Sequence, residues 1–128
     1  MNVLLDTCAF LWLTCNSQRL SKNAVNVITD PKNGIHLSAV SIWEISTKFG
    51  RGRLKLSDSP DVFVPKHCRS QNFILIPFDT QSSMLAHTLP DHHRDPFDRM
   101  LIAHAIHLDM PIVTSDACIR AYPVKTIW

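Results

Sequence analysis

Three aspartates in this 128-residue chain stand where their charge calls for an explanation. Asp6 closes the apolar run Asn2-Val3-Leu4-Leu5, and Asp116 follows Ile112-Val113-Thr114-Ser115. Asp98 belongs to Asp95-Pro96-Phe97-Asp98, just ahead of the apolar run Leu101-Ile102-Ala103-His104-Ala105-Ile106. Carboxylates brought close together raise one another's pKa and destabilise a fold unless a cation offsets their charge. Oxygen-only donors suit hard cations, Mg²⁺ or Mn²⁺, better than zinc. One such ion, or two about 4 Å apart, activates water and stabilises a phosphoryl transition state.

The bland reading of each acid is a helix cap. Asp95 fits an N-cap with Pro96 at the first helical position, where a missing N–H costs nothing. Asp98 then falls in the first turn, where negative charge suits the helix dipole. It also heads the face formed by Leu101, Ile102 and Ala105, and a carboxylate at the top of a buried stripe needs a partner. Glu44 is the sole glutamate among eleven acids. From pattern alone it reads as an i,i+4 ion pair with Lys48, contributing a few tenths of a kcal/mol. A competing zinc or iron site of His92, His93 and Asp95 is disfavoured, because adjacent histidines in a polar loop are usually solvated. His36, His67, His87, His104 and His107 show no ligand spacing.

The elements that must position these acids alternate between strand and helix. Strands are expected at Asn2–Leu5, Ile35–Leu37, Phe73–Ile76, Pro111–Thr114 and Val124–Ile127. Helices are expected near Cys8–Leu13, from Ser21 to about Ile28, and through Val40–Phe49 with Ser38 or Ser41 as cap. Further helices are expected near Asp61–Arg69, Thr80–Leu89, from Asp95 to about Leu108, and briefly near Cys118. The pattern implies an α/β domain with a mostly parallel sheet. Right-handed crossovers then bring all carboxyl ends of the strands to one edge, where ligands of open α/β sheets bind. Asp6, Asp98 and Asp116 all start from that edge.

Composition narrows the class. A chain of 128 residues with 45% hydrophobic content and three glycines reads as one globular domain, residues 1–128, rather than as a disordered segment. No apolar run approaches the roughly 20 residues of a membrane span. The start MNVLLDTCAFLW has no basic leader, and the four cysteines are scattered without a CxxC pair, so reduced thiols and a cytoplasmic location are expected. No glycine-rich phosphate loop is present, which disfavours a nucleotide-binding fold. The net charge of +2 is small, but Lys48, Arg51, Arg53 and Lys55 form a run without an acid.

Five segments together resemble the PIN-domain ribonucleases, and in particular the VapC-type toxins of type II toxin–antitoxin pairs. They are LLDTCAFLW (4–12), LSAVSIWEISTKFGRGRLKL (37–56), HRDPFDRMLIAHA (93–105), IVTSD (112–116) and the terminal YPVKTIW. The resemblance implies a three-layer α/β/α sandwich and a metal-dependent endoribonuclease. It maps the family's catalytic and metal-binding acids onto Asp6, Glu44, Asp98 and Asp116, and so reverses the pattern-based preference at Glu44. Asp95 shares the DPFDR signature and is kept as a cap that contributes from behind the ligands, while Thr114 and Ser115 would orient the last acid or a water. Cys8 and His104 depart from the histidine and glutamine often found at these positions.

The mechanism so implied uses Mg²⁺ (or Mn²⁺) to activate water against an RNA phosphodiester. Arg94, Arg99, Lys48, Arg51 and the rest of the basic run would hold the RNA backbone. A cognate antitoxin, a homodimer and a higher toxin–antitoxin assembly are implied partners, with Phe10, Leu11, Trp12, Trp43 and Phe49 as contact candidates whose default role is core packing. Two rivals stand beside this reading. One is a PIN-fold module that binds RNA or protein without cutting, and the other is a DNA nuclease or small phosphatase.

Overall fold

In β1 (Asn2–Leu5) the side chains alternate between two apolar cores: Val3 and Leu5 enter one, Leu4 the other. A strand buried on both faces belongs in the middle of a sheet covered on both sides. The computed structural model, which describes residues 1–128, places it there. The other strands are β2 (Gly34–Ser38), β3 (Ile74–Ile76), β4 (Ile112–Val113) and β5 (Thr126–Ile127). Their order is β3-β2-β1-β4-β5, and every neighbouring pair is parallel. The expected mostly parallel sheet is thus wholly parallel.

Six α-helices cover it: α1 (Thr7–Cys15), α2 (Lys22–Thr29), α3 (Ala39–Gly50), α4 (Pro60–Gln71), α5 (Thr80–Leu85) and α6 (Pro96–Leu108). One core joins Ala9 and Phe10 of α1, Ala24 and Ile28 of α2, and Phe63, Val64 and Cys68 of α4 to one face of the sheet. The other joins Leu101, Ile102 and Ala105 of α6 to Leu4 and Ile112 on the opposite face. The result is the expected α/β/α sandwich. Each fully buried Leu or Ile contributes roughly 1.5–3 kcal/mol, and Leu4→Ala, which opens a cavity at the sheet centre, would cost about 2–5 kcal/mol. No helix is long and apolar enough to cross a membrane.

The helix starts follow local chemistry. Asp6, Ser21, Ser38, Asp79 and Asp95 each accept a backbone N–H from the first turn of the helix that follows. Of the two serines expected to cap α3, Ser38 takes the cap. Ser41 instead lies buried and accepts the Thr7 hydroxyl at 3.0 Å, which ties α1 to α3. Three elements are at least two residues shorter than expected, one of them the last strand, which covers Thr126–Ile127 rather than Val124–Ile127. The helix from Thr80 ends at Leu85 and tightens into a 3₁₀ turn, Ala86–Thr88. The strand at Pro111–Thr114 shrinks to Ile112–Val113, because the Thr114 hydroxyl turns back to accept the Asp116 N–H at 3.0 Å.

From β1 the chain order runs to β2 on one side and to β4 on the other. The switch point therefore lies between the carboxyl ends of β1 and β4, where a parallel α/β sheet opens a crevice.

Candidate functional site

Asp6 and Asp116 flank that crevice. The Asp6 N–H donates to the Val113 carbonyl at 3.1 Å, so the residue continues the β1–β4 pairing while its side chain begins α1. Asp6 Oδ1 accepts the Ala9 N–H at 2.7 Å. Asp116 caps the 3₁₀ turn Ala117–Ala121, its Oδ1 accepting the Cys118 N–H at 2.9 Å. Both acids are therefore helix caps that also line the crevice.

Two helices supply the remaining acids. Asp95 caps α6, its Oδ1 accepting the N–H groups of Phe97 and Asp98 at 2.9 and 3.1 Å, and this start aims Asp98 at the crevice. Glu44 lies in the middle of α3, buried, with one oxygen paired to Lys48. The ion pair expected from the pattern is present, and it uses only Oε2. Glu44 Oε1 is buried with no hydrogen-bond partner.

Asp6, Glu44, Asp98 and Asp116 line one cavity of about 320 Å³ together with Thr7, Cys8, Lys48, Asp95 and Ser115. Burial pushes the Asp6 carboxyl up to about 6; hydrogen bonds from Thr114 and Ala9 oppose the rise, and the charges of Asp116 and Glu44 add to it. Burial, then the neighbouring charge of Asp95, pushes Asp98 up to about 7. Asp116 behaves differently. Burial acts to raise it, but hydrogen bonds from His93 and Cys118 outweigh that and hold it below the usual carboxylate range. Burial and the Asp6 charge push the Cys8 thiol up to about 11, so at neutral pH it is no nucleophile.

The residues present fit a hard divalent cation. The acceptors facing the cavity are mainly carboxylate oxygens, two of the acids have raised pKa values that a cation would relieve, and Glu44 Oε1 lacks any donor. Leaving a buried carboxylate oxygen unsatisfied costs on the order of 1–3 kcal/mol. Ligand atoms of Asp98, Asp116 and His93 lie within 4.8 Å of one another, and a cation there that also reached Asp6 and Glu44 would remove both penalties.

The basic residues divide. Lys48 lines the cavity, whereas Arg51 is exposed in the turn after α3 and does not line it. Arg94 and Arg99 lie instead along a separate groove with Ser83, His87 and Met100. Arg99 was expected to hold RNA, and this is corrected. Its Nη1 donates to the carbonyls of Pro90 and His93, and its Nη2 to those of Ala86 and Leu89, at 2.9–3.2 Å. With those donors committed, it organises the loop before α6.

His93 is a second correction. Expected to be a solvated bystander, it is largely buried, with Nε2 2.6 Å from Asp116 Oδ2 and 3.2 Å from Asp98 Oδ2. Its neighbour His92 is exposed and lies edge-on against Tyr122. Sequence reasoning weighed His93 only with its neighbours in the chain, whereas its partners come from α6 and the end of β4. Thr7 and Cys8 were also missed as cavity-lining residues, although their place directly after Asp6 was a usable signal. Of the apolar contact candidates, Phe10 is fully buried in the core and Trp43 is 59% exposed.

A family model of the PIN domain matches residues 3–125. No curated protein sequence matches the chain. Among solved structures, the chain is similar to VapBC2 from Rickettsia felis bound to a DNA fragment from their promoter, at 15% identity and TM-score 0.75. The likeness covers 98% of this chain and 97% of that one. It is similar also to VapBC-1 from nontypeable Haemophilus influenzae, at 17% identity and TM-score 0.68, with 98% and 96% covered. A third likeness is to VapBC-5 from Mycobacterium tuberculosis, a member of the VapBC family of toxin-antitoxin systems. There the identity is 15% and the TM-score 0.60, with 98% and 94% covered.

Proposed function

The chain belongs to the PIN-domain family, and we propose that it is a Mg²⁺- or Mn²⁺-dependent endoribonuclease acting as the toxin of a type II toxin–antitoxin pair. One observation carries the reading. Asp6 after β1, Glu44 of α3, Asp98 of α6 and Asp116 after β4 face one cavity, with the α6 cap Asp95 also lining it, and one buried oxygen of Glu44 lacks a partner. An acid-lined cavity of this kind has no evident use in a module that only binds.

Asp6, Glu44, Asp98 and Asp116 would hold the ion. When bound, the ion supplies activation of a water molecule and charge stabilisation at the scissile phosphodiester. The chain's own residues do the rest. Caps at Asp6 and Asp116 fix two carboxylates against backbone N–H groups, and the Asp95 cap sets the direction of Asp98. Lys48, 46% exposed at the cavity, offers a cation to the RNA backbone, as do Arg51 and Arg94 from the surrounding surface. Thr114 holds the backbone of Asp116, and Ser115 opens onto the cavity.

A cognate antitoxin covering the cleft, a homodimer and a higher toxin–antitoxin assembly belong to the same proposal, as does a cytoplasmic setting. Support for the antitoxin comes from the likeness to VapBC assemblies. The test is RNA cleavage by purified protein with and without Mg²⁺ or Mn²⁺, beside duplex DNA and a small phosphoester. Ion-dependent cutting of RNA that Asp6→Asn and Asp98→Asn each abolish, with the fold intact by circular dichroism, is the expected result. Full activity in either variant overturns the assignment.

A further inference from the structure

We propose that His93 is a positioning residue of this acidic site, fixing the Asp116 carboxylate beside Asp98 through its Nε2–H. The inference rests on the ion site of the proposed function and adds to it a residue outside the four acids.

The tautomer comes from the backbone. The Asp95 N–H donates to His93 Nδ1 at 3.1 Å, which requires a lone pair there and puts the ring proton on Nε2. That N–H donates to Asp116 Oδ2, with the nitrogen at 2.6 Å, and Asp98 Oδ2 lies beside the same nitrogen at 3.2 Å as a charge contact outside hydrogen-bond geometry. The opposite oxygen of Asp116 takes the Cys118 N–H, so its carboxylate plane is held from both ends.

The loop that carries the ring is itself held. The His93 N–H donates to the Tyr122 hydroxyl at 2.8 Å, and that hydroxyl donates to the Pro90 carbonyl at 2.6 Å. Arg99 takes the His93 and Pro90 carbonyls from the other side. The imidazole is thus set by three residues, Asp95, Arg99 and Tyr122, before any ion arrives.

Direct ligation through Nε2 fits these contacts less well. It would need the proton on Nδ1, facing the Asp95 N–H with two donors opposed. A hydrogen-bond donor behind ligating carboxylates orients them and raises metal affinity, and loss of such a partner typically weakens binding about 10–100-fold.

Titration calorimetry with Mn²⁺ on the wild type, His93→Ala and His93→Gln tests this, with thermal melts to verify folding. Glutamine places an amide N–H at about the reach of Nε2. His93→Ala should weaken Mn²⁺ binding about 10–100-fold, and His93→Gln should restore it to within about fivefold of the wild type. The Co²⁺ absorption spectrum of the glutamine variant should match that of the wild type. Unchanged or tighter binding by His93→Ala overturns the inference, the tighter result meaning that the ring competes with the ion. Binding by His93→Gln as weak as by His93→Ala, with a changed Co²⁺ spectrum, also overturns it and makes His93 a nitrogen ligand. Wild type that binds no Mn²⁺ removes the ion site itself, whereas the variant outcomes bear on His93 alone.

Discussion

Lys48 pairs with Oε2 of Glu44, while the other oxygen of the same carboxylate is buried without a partner. The ammonium therefore neutralises the glutamate from the cavity mouth and leaves Oε1 for a second positive charge. A cation bound at Oε1 would feel repulsion from Lys48 across several ångströms of partly screened space, about 1 kcal/mol. Lys48→Gln should accordingly tighten Mn²⁺ binding roughly fivefold while weakening RNA binding and flattening its salt dependence. Calorimetry and filter binding across a salt series measure the two effects. Weaker ion binding in the variant would show that Lys48 is needed to hold Glu44 in place.

Asp98→Asn should stabilise the ion-free protein at pH 8 while abolishing stabilisation by Mg²⁺. The folded Asp98 carboxyl titrates at about 7 against 3.8 unfolded, so the folded state holds its proton more tightly. Its contribution is most favourable below pH 4, declines as pH rises to about 7, and is flat above. The full difference corresponds to about 4 kcal/mol, which solvent reaching a 25% exposed side chain reduces to about 1–2 kcal/mol. Melting curves at pH 5 and 8, with and without Mg²⁺, read this directly. A variant that melts below the wild type at pH 8 without ion would sink the repulsion argument.

Caps and strand ends were legible in the sequence because their chemistry is local. Asp6, Ser21 and Asp95 each bond N–H groups within three residues, and the run Asn2–Leu5 needs no distant partner to read as a buried strand. The crossover rule then carried Asp6, Asp98 and Asp116 to one edge without coordinates. Glu44 was ambiguous for a physical reason: the i,i+4 pair exists, and only the burial of Oε1 separates a surface ion pair from a site acid. Arg99 was misread because its partners are four backbone carbonyls, which leave no mark on residue type. His93 was missed because the acceptor of its ring N–H, Asp116, comes from the far end of β4.

His104→Gln should reduce the acid sensitivity of the fold. His104 is buried in α6; the Ser38 hydroxyl bonds its Nδ1 at 2.9 Å, and Asp79 and His107 are its titratable neighbours. Burial pushes its pKa down; the Asp79 charge opposes this and His107 adds to it. A histidine held below its unfolded value contributes full stability above about pH 6.5 and loses it as pH falls. Glutamine keeps two polar groups for Ser38 and Asp79 and does not titrate. The gap between the two melting temperatures should move in the variant's favour between pH 7.5 and 5, and parallel curves would contradict it.

Tyr122→Phe separates the anchoring of the His93 loop from the chemistry of the acids. Tyr122 is buried at 4% exposure, and its hydroxyl accepts the His93 N–H while donating to Pro90. Phenylalanine fills the same volume and leaves the His93 N–H without a partner, with the Pro90 carbonyl held by Arg99 alone, a cost of about 1–2 kcal/mol. Arg99 still holds the Pro90 and His93 carbonyls, so the loop should loosen rather than detach. The expected result is a melting point lower by several degrees and Mn²⁺ affinity reduced a few-fold, less than in His93→Ala. Hydrogen exchange should show faster exchange at His93 and Asp95, with α6 beyond Leu101 unchanged. If affinity and loop exchange both match the wild type, the Tyr122 hydroxyl does not contribute to setting the ring against Asp98 and Asp116.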